Sequence, residues 1–196
     1  MKYDFIEIGT SDFKTLIENP NSGKGISVEP LKYYLNRLPS NPNVIKSNFA
    51  ISDSDSEINI YWVTPENISK YNLPHWVRGC NSINAPHPTI KNLLKENHDS
   101  IVNVDVIKCI TWSTFVKLYD IECIDFLKID TEGHDAIILE EYFKLCDQIP
   151  SLLAPKILFE NNVLSDSESI NKVIDIAIQK GYKGEKLGDD YKLILS

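Results

Sequence analysis

The stretch CIDFLKIDTEGHDAIIL, residues 123–139, changes from apolar to strongly polar and back to apolar. Its first part, Cys123 to Ile129, is nearly all apolar, which predicts a strand buried on both faces. Residues 136–143 have the apolar spacing of a helix packed on that strand. The acidic sequence DTEGHD therefore lies at a strand-to-helix turn. In open parallel α/β sheets such turns lie at the carboxyl edge of the sheet, where ligands bind.

The composition is that of an acidic globular protein. The chain has 196 residues, of which 42% are hydrophobic and 24% charged, and its net charge is -8. This length predicts a single domain over residues 1–196 with a sizeable core. No run of Lys or Arg is dense enough to follow a phosphate backbone, which disfavours a nucleic-acid partner. The four cysteines form no CxxC pair, so buried free thiols in a reducing compartment are expected rather than a zinc site.

The N-terminal sequence is unlike a signal peptide. It reads MKYDFIEIGTSDF and carries Asp4 and Glu7 where a signal peptide needs an apolar core. No stretch approaches the length of a membrane span. We therefore expect a soluble cytoplasmic protein with no membrane partner. The sequence leaves its oligomeric state open.

Strands and helices alternate along most of the chain. The segments that predict strands are residues 3–8, 25–28, 44–51, 102–110, 123–129 and 156–159. Their alternation with helical segments, through short turns, predicts an α/β fold: a Rossmann-like, doubly wound, mostly parallel sheet with helices on both faces. Residues 181–195 predict a hairpin that closes this sheet with an antiparallel strand.

Two segments depart from this alternation. Residues 58–63 alternate between apolar and polar positions, which predicts a β-hairpin with the third strand through the turn SDSDSE. Residues 65–100 lose periodicity and contain four prolines, which predicts an irregular insert. We expect this insert to cover the substrate.

The turn after the first strand, EIGTSDF, has features of a cofactor site. Gly9 follows a buried strand and allows a ligand to approach the backbone closely, while Glu7 can accept hydrogen bonds. Glu29 ends the second strand 20 positions after Gly9, where nucleotide-binding folds hold a ribose diol. A dinucleotide would require G-x-G-x-x-G to bind its pyrophosphate, and this chain has one glycine followed by TSDF. Because an acidic turn suits an ammonium group better, the pattern favours S-adenosylmethionine.

Four segments together resemble the FkbM-type class I methyltransferases, which are O-methyltransferases that use S-adenosylmethionine. They are EIGTSDF, ISVEP, SNFAISDSDSEINIYWV and IDFLKIDTEGHDAIILE, and the resemblance spans about residues 3–195. The family usually has a second glycine in the first turn, where this chain has Phe13. The resemblance implies that Asp130 and Glu132 face the methyl group and the acceptor. The residues expected at the cofactor site are Glu7, Gly9, Thr10, Ser11, Asp12, Glu29, Pro30 and Asp130.

The acidic turn has two explanations. Acids in the first turn of a helix complement its dipole, which accounts for Asp135. This accounts poorly for Asp130, because a carboxylate that ends a buried strand needs a partner. The alternative is catalytic: Asp130, Glu132 or His134 takes or relays the proton of an acceptor hydroxyl. The same carboxylates could collect a divalent cation, so a metal requirement stays open at this point.

The sequence WVRGCNSINAPHP, residues 76–88, places aromatic and hydrogen-bonding groups on an irregular loop. Long loops over a scaffold often recognise substrate. Alternatively, Trp76 and Cys80 fill a gap beside the hairpin while the polar groups face solvent. The candidate substrate-binding residues are Trp76, Arg78, Asn81, Ser82 and His87.

These features predict an S-adenosylmethionine-dependent O-methyltransferase that acts on a hydroxyl of a small molecule or glycan. A catalytically inactive binding module of the same fold is one alternative, favoured by Phe13 and the small size. An NAD-dependent oxidoreductase is another, disfavoured by the missing glycines. Release of S-adenosylhomocysteine in the presence of an acceptor distinguishes the enzyme from the binding module.

Overall fold

The computed structural model describes residues 1–11, 15–19, 21, 23–162 and 165–196, so the predictions made for Asp12 and Phe13 lie outside the described residues. The strands are β1 (Lys2–Tyr3), β2 (Phe5–Ile8), β3 (Gly25–Val28), β4 (Val44–Ser47), β5 (Ala50–Ser52), β6 (Ser56–Val63), β7 (Val102–Thr111), β8 (Cys123–Ile124), β9 (Phe126–Ile129), β10 (Lys156–Glu160), β11 (Tyr182–Leu187) and β12 (Asp190–Leu195). The helices are α1 (Lys32–Arg37), α2 (Pro65–Lys70), α3 (Pro88–Leu94), α4 (His98–Ile101), α5 (Trp112–Tyr119), α6 (Asp135–Gln148) and α7 (Ser167–Gln179).

The main sheet has seven strands in the order β11-β12-β10-β9-β2-β3-β4. The five strands from β10 to β4 are parallel, and β12 is antiparallel to β10. Five of the six strands predicted for the parallel sheet therefore contribute to it, and the antiparallel closing strand is confirmed. The prediction for residues 102–110 is wrong, because they form β7 of the second sheet. Ile6, Ile26 and Leu127, from three adjacent parallel strands, are fully buried, as expected for strands covered on both faces. The carboxyl ends of β2, β3, β9 and β10 consequently meet at one edge of the sheet.

Helix α6 begins directly after the acidic turn and packs its apolar face on the core. Ile138, Leu139 and Phe143 are at most 1% exposed. The hydroxyl of Tyr142 donates to the Leu152 carbonyl at 2.6 Å and accepts from a backbone amide, so its polar end is satisfied inside the core. This packing fixes the position of the acidic turn between β9 and α6.

The second sheet has the order β5-β7-β6, with β7 parallel to β5 and antiparallel to β6. The predicted hairpin between the third strand and residues 58–63 is therefore wrong, because β7 lies between them. The predicted third strand is also divided: β4 belongs to the main sheet and β5 to the second. Alternation along β6 buries Ile60 and Trp62 against Tyr34 of α1. Such alternation identifies a strand with one buried face, but it does not identify the neighbouring strand.

The insert at residues 65–100 is less irregular than expected. Thr64 and His87 cap α2 and α3, and each helix has a proline at its first position. Proline is favoured there because its missing N–H has no partner in a helix anyway. Two of the four prolines that suggested an irregular segment, Pro65 and Pro88, thus begin short helices. The insert contributes to a small apolar core that includes Val77 and Ile90.

The remaining general predictions concern thiols and membrane spans. All four cysteines are free, and Cys109 and Cys146 are buried. None of the helices in the described ranges is long and apolar enough to cross a membrane.

Candidate functional site

A cavity of about 590 Å³ opens at the carboxyl edge of the main sheet, and we call it the acidic cavity. It is bounded by the turns that follow β2, β3 and β9, by β5 and by part of the insert. The predicted site residues that line it are Gly9, Thr10, Ser11, Glu29, Pro30, Asn81, Asp130, Glu132 and His134. The residues predicted from separate segments of the sequence are thus brought together in one place.

The turn after β2 packs directly on the backbone of the acidic turn. Gly9 has φ +81°, and a Cβ at this position would lie 1.9 Å from the Asp130 carbonyl oxygen, so only glycine fits. The Asp130 amide donates to the Ile8 carbonyl at 2.9 Å. Ser11 is also left-handed, with φ +47°, and its hydroxyl is buried without a hydrogen-bond partner among the described residues. A buried hydroxyl of this kind is a place where a ligand can bind.

Glu29 follows β3 and is only 4% exposed. One of its carboxylate oxygens accepts from the Ser11 amide at 2.7 Å and the other from the Leu31 amide at 2.8 Å. Backbone amides therefore fix the orientation of the carboxylate.

Glu7, predicted at the cofactor site, does not line the acidic cavity. It is fully buried, and its carboxylate lies 2.9 Å from the Lys128 ammonium and accepts from the Leu16 amide at 2.8 Å. Burial raises the pKa of Glu7, against the effect of Lys128. Lys128 lines the cavity and lies 3.9 Å from a carboxylate oxygen of Asp130. Glu7 thus acts on the cavity only through Lys128.

Sequence reasoning missed Lys128, although a signal for it exists. Strands β2 and β9 are apolar apart from one charged residue each, and Glu7 and Lys128 are direct partners in the register between these strands. Opposite charges at equivalent positions of two buried strands favour a cross-strand ion pair.

Three carboxyl groups converge at the bottom of the cavity. Oxygens of Asp130, Glu132 and Glu160 all lie within 4.8 Å of one another, an arrangement that can share protons or hold a cation. Burial and the neighbouring acids raise the pKa of Glu160 to about 9. Its Oε2 atom is buried and has no hydrogen-bond partner among the described residues. Glu160 is therefore mainly protonated at neutral pH. It ends β10 as Asp130 ends β9, and this shared pattern could have identified it.

Many protein atoms lie around the side chain of Asp130. It is nevertheless 44% exposed, because it faces the open cavity. Its pKa is raised to about 7, first by desolvation and then by Asp135 and Glu132, while Lys128 opposes the shift. A carboxylate with a pKa near 7 can accept a proton effectively at neutral pH.

Glu132 connects the acidic turn to the insert. It has a left-handed backbone, φ +54°, which is uncommon for a residue with a side chain and often marks a functional site. The Nδ1 atom of His87 accepts from the Thr89 amide at 3.2 Å, so its Nε2–H is the donor to the Glu132 carboxylate at 3.2 Å. Ser82 also donates from its hydroxyl to the Glu132 carbonyl, at 3.5 Å. The insert thus orients this carboxylate directly.

His134 is buried between β5, the insert and α6. Its Nδ1 lies 2.8 Å from the Asn84 side-chain oxygen, and its Nε2 lies 2.8 Å from the Ser52 hydroxyl. The Asn84 side-chain nitrogen donates to the Gly133 carbonyl, so its oxygen faces His134 and Nδ1 carries the proton. Burial lowers the pKa of His134 to about 4. The ring is therefore neutral, and both nitrogens contact neighbouring side chains. This geometry favours a positioning role, and the catalytic role stays a prediction.

The predicted substrate residues have four different placements. Asn81 lines the acidic cavity, whereas Ser82 and His87 are buried and contact Glu132. Trp76 is 47% exposed and lies outside the cavity lining. Arg78 lines a different cavity. The residues that sequence reasoning missed in the acidic cavity include Lys128, Glu160, Asp189 and Asp190; Asp189 lies in the turn between β11 and β12, and Asp190 begins β12.

The sequence matches the methyltransferase FkbM domain over residues 7–183. No curated protein and no solved structure matches the chain. The matched range includes the turn after β2, Glu29, the insert and the acidic turn, and therefore most of the acidic cavity. Membership of this family supports a transferase that moves methyl groups and implies a class I methyltransferase fold. The chain belongs to the FkbM methyltransferase domain family.

Proposed function

We propose that the protein transfers a methyl group from S-adenosylmethionine to a hydroxyl oxygen of a small molecule or glycan. One observation carries this proposal: Glu29 and Asp130 line the same cavity, together with the turn at Gly9. Glu29 follows β3 and Asp130 follows β9, the two strands on either side of β2, so a candidate ribose acceptor and a candidate proton acceptor lie at the same edge of the sheet. We also propose that the main sheet and its helices form the Rossmann-like, doubly wound arrangement of class I methyltransferases.

The cavity fits the chemistry of the cofactor. S-adenosylmethionine supplies an activated methyl group on a positive sulfonium, next to an ammonium and a carboxylate. Glu29 would accept hydrogen bonds from the ribose hydroxyls, and the buried Ser11 hydroxyl would gain the partner that it lacks among the described residues. The acidic lining favours the cationic groups of this ligand over a pyrophosphate.

The protein's own residues would place the acceptor and remove its proton. Asp130 takes the proton that the acceptor hydroxyl loses, and Lys128 helps to keep Asp130 ionised by lowering its pKa. Glu132, oriented by His87, is the second carboxylate that the acceptor can contact. His134 positions the turn. Correct placement of the reacting groups supplies much of the catalysis in such a transfer.

The same features bear on partners and compartment. The charged residues that line the cavity are mainly Asp and Glu, and their negative charge repels the phosphates of nucleic acids. We therefore propose a small-molecule or glycan acceptor. Four free thiols fit a reducing compartment such as the cytoplasm.

Calorimetric titration with S-adenosylhomocysteine tests the cofactor site. We expect Glu29→Ala to weaken binding by about 2 kcal/mol or more, because two charge-assisted hydrogen bonds are lost. Glu29→Gln keeps the size of the side chain and should show a smaller loss. Glu122→Ala, at an exposed position, is the control and should bind as the wild type does. Unchanged affinity in Glu29→Ala would exclude this placement, and tight binding of NADH would favour an oxidoreductase.

A further inference from the structure

A second cavity, of about 350 Å³, lies between α1, α2 and the short helical turn His75–Gly79. We call it the arginine cavity. Arg37 and Arg78 line it, together with the polar side chains of Ser69, Asn72 and His75. Among the described residues that line it, none is Asp or Glu. It therefore differs in charge from the acidic cavity.

The chain contains only two arginines, and both line this cavity. The other basic residues are lysines, and none of the described lining residues is a lysine. In a protein with a net charge of -8, this concentration of guanidinium groups is not expected from composition. The guanidinium of Arg37 also lies over the ring of Tyr33, 5.4 Å from its centroid, which restricts its orientation.

Guanidinium groups suit oxyanions better than ammonium groups do. Their planar N–H fork matches a carboxylate or phosphate through two parallel hydrogen bonds. Each guanidinium carries five N–H donors, so an arginine that contacts another protein group can still bind an anion. The neutral lining residues Ser69 and Asn72 add hydrogen-bonding groups without adding negative charge.

The two cavities share the turn His75–Gly79 as a wall. Arg78 lines the arginine cavity, and the next residue, Gly79, lines the acidic cavity. Consecutive Cα atoms are about 3.8 Å apart, so the linings of the two cavities meet at this turn, and a ligand that occupies both would have to be larger than a monosaccharide. The reactive part of such a ligand would lie beside Asp130.

We propose that the arginine cavity is an oxyanion subsite that binds a carboxylate or phosphate group of the methyl acceptor. This assignment of the ligand rests on the proposed methyl transfer, whereas the anion binding does not. It narrows the acceptor to a hydroxyl compound that is larger than a monosaccharide and carries an acidic group, such as a glycan that contains a uronic acid or a sugar phosphate.

Calorimetric titration at low salt, on the full chain without cofactor, tests the subsite directly. The probes are inorganic phosphate and glucuronate, with glucose as the neutral comparison. We expect both anions to bind and glucose not to bind, and the better anion identifies the acidic group. The double variant Arg37→Gln/Arg78→Gln should lower the anion affinity at least about tenfold. Arg37→Lys/Arg78→Lys keeps the charge and should retain part of the affinity.

The matched control is Lys32→Gln/Lys70→Gln, which removes two positive charges from α1 and α2 at positions outside the cavity lining. An equal loss in this control, or no anion binding by the wild type, would overturn the proposal. If the glutamine double variant does not fold, an unchanged affinity in the lysine double variant would also overturn it. Binding of S-adenosylhomocysteine is measured on the same samples: its failure rejects the proposed cofactor and leaves the anion subsite intact.

Discussion

The two cavities differ in the kind of charge that lines them. Among the described residues, six carboxyl groups and one lysine line the acidic cavity, whereas both arginines and no carboxyl group line the arginine cavity. Carboxyl groups that lie together change one another's pKa, and two of those in the acidic cavity titrate near or above neutral pH. Arginine stays protonated at any pH at which the protein is folded. The acidic cavity is therefore suited to moving protons, and the arginine cavity to holding a fixed anion.

The strongest test of this difference is Lys128, which lines the acidic cavity. Lys128→Met leaves the fully buried Glu7 without its ionic partner, and breaking a buried pair from one side typically costs about 3–5 kcal/mol. We expect a loss of this size in the free energy of unfolding, measured with urea. Lys144→Met is the control, because its pairs on α6 are exposed and should be worth at most about 1 kcal/mol. Equal losses in the two variants would show that the pair under the cavity is not structural.

Lys128 also illustrates how far the sequence alone could lead. The apolar run before the acidic turn correctly predicted a buried strand, and parallel strand ends share one edge, so Gly9, Glu29 and Asp130 were expected to meet. The lysine inside that run received no role, because its meaning depends on the register that places it opposite Glu7. Register is a property of two distant segments and is not visible in either one.

The same reason explains the errors in the second sheet and the insert. Residues 58–63 have the pattern of a strand, but their partner is β7, about 45 residues further along the chain, rather than the preceding strand. Arg78 and Asn81 were assigned to one substrate site, yet they line different cavities. Which way neighbouring side chains face on an irregular turn depends on its backbone angles. Composition and spacing do not determine those angles.

The second test removes the proposed proton acceptor. We expect Asp130→Asn to lower the methyl-transfer rate about 100-fold or more, because an amide of similar size cannot accept the proton. The affinity for S-adenosylhomocysteine should change little. The wild-type rate should rise with pH through about 7, where Asp130 loses its proton, and the variant should lack this rise.

Two further variants define the limits of that effect. Glu132→Gln should reduce the rate less, and Asp147→Asn, exposed near the other end of α6, should not reduce it. Wild-type turnover in Asp130→Asn would mean that the acidic turn only caps the helix.

The smallest expected effect concerns the pH dependence of stability. The pKa of Glu160 is about 9 in the folded protein, above its ordinary value near 4.5, so the folded state holds a proton that the unfolded chain releases. Its contribution therefore lowers the stability as pH rises from about 4.5 to about 9. Glu160→Gln removes this contribution. Between about pH 7 and pH 8.5 we expect the free energy of unfolding of the wild type to fall by about 1 kcal/mol more than that of the variant. This is half of the value without solvent screening, because Glu160 is partly exposed.

This pH range separates Glu160 from most other titrating groups, and Asp130, whose pKa is about 7, is present in both the wild type and the variant. The pKa of His134 is lowered to about 4 in the folded protein, and the unfolded chain loses the same proton near pH 6.5. Above that pH, His134 no longer changes the stability. Burial raises the pKa values of Cys80, Cys109 and Cys146, which affect stability mainly above about pH 8.5. Glu140→Gln is the control, because exposed ion pairs lower the pKa of Glu140 and it stays ionised throughout this range. Parallel stability curves for the wild type and Glu160→Gln would mean that Glu160 is ionised at neutral pH. The acidic cavity would then carry a fixed charge, as the arginine cavity does, and the contrast between them would be one of sign alone.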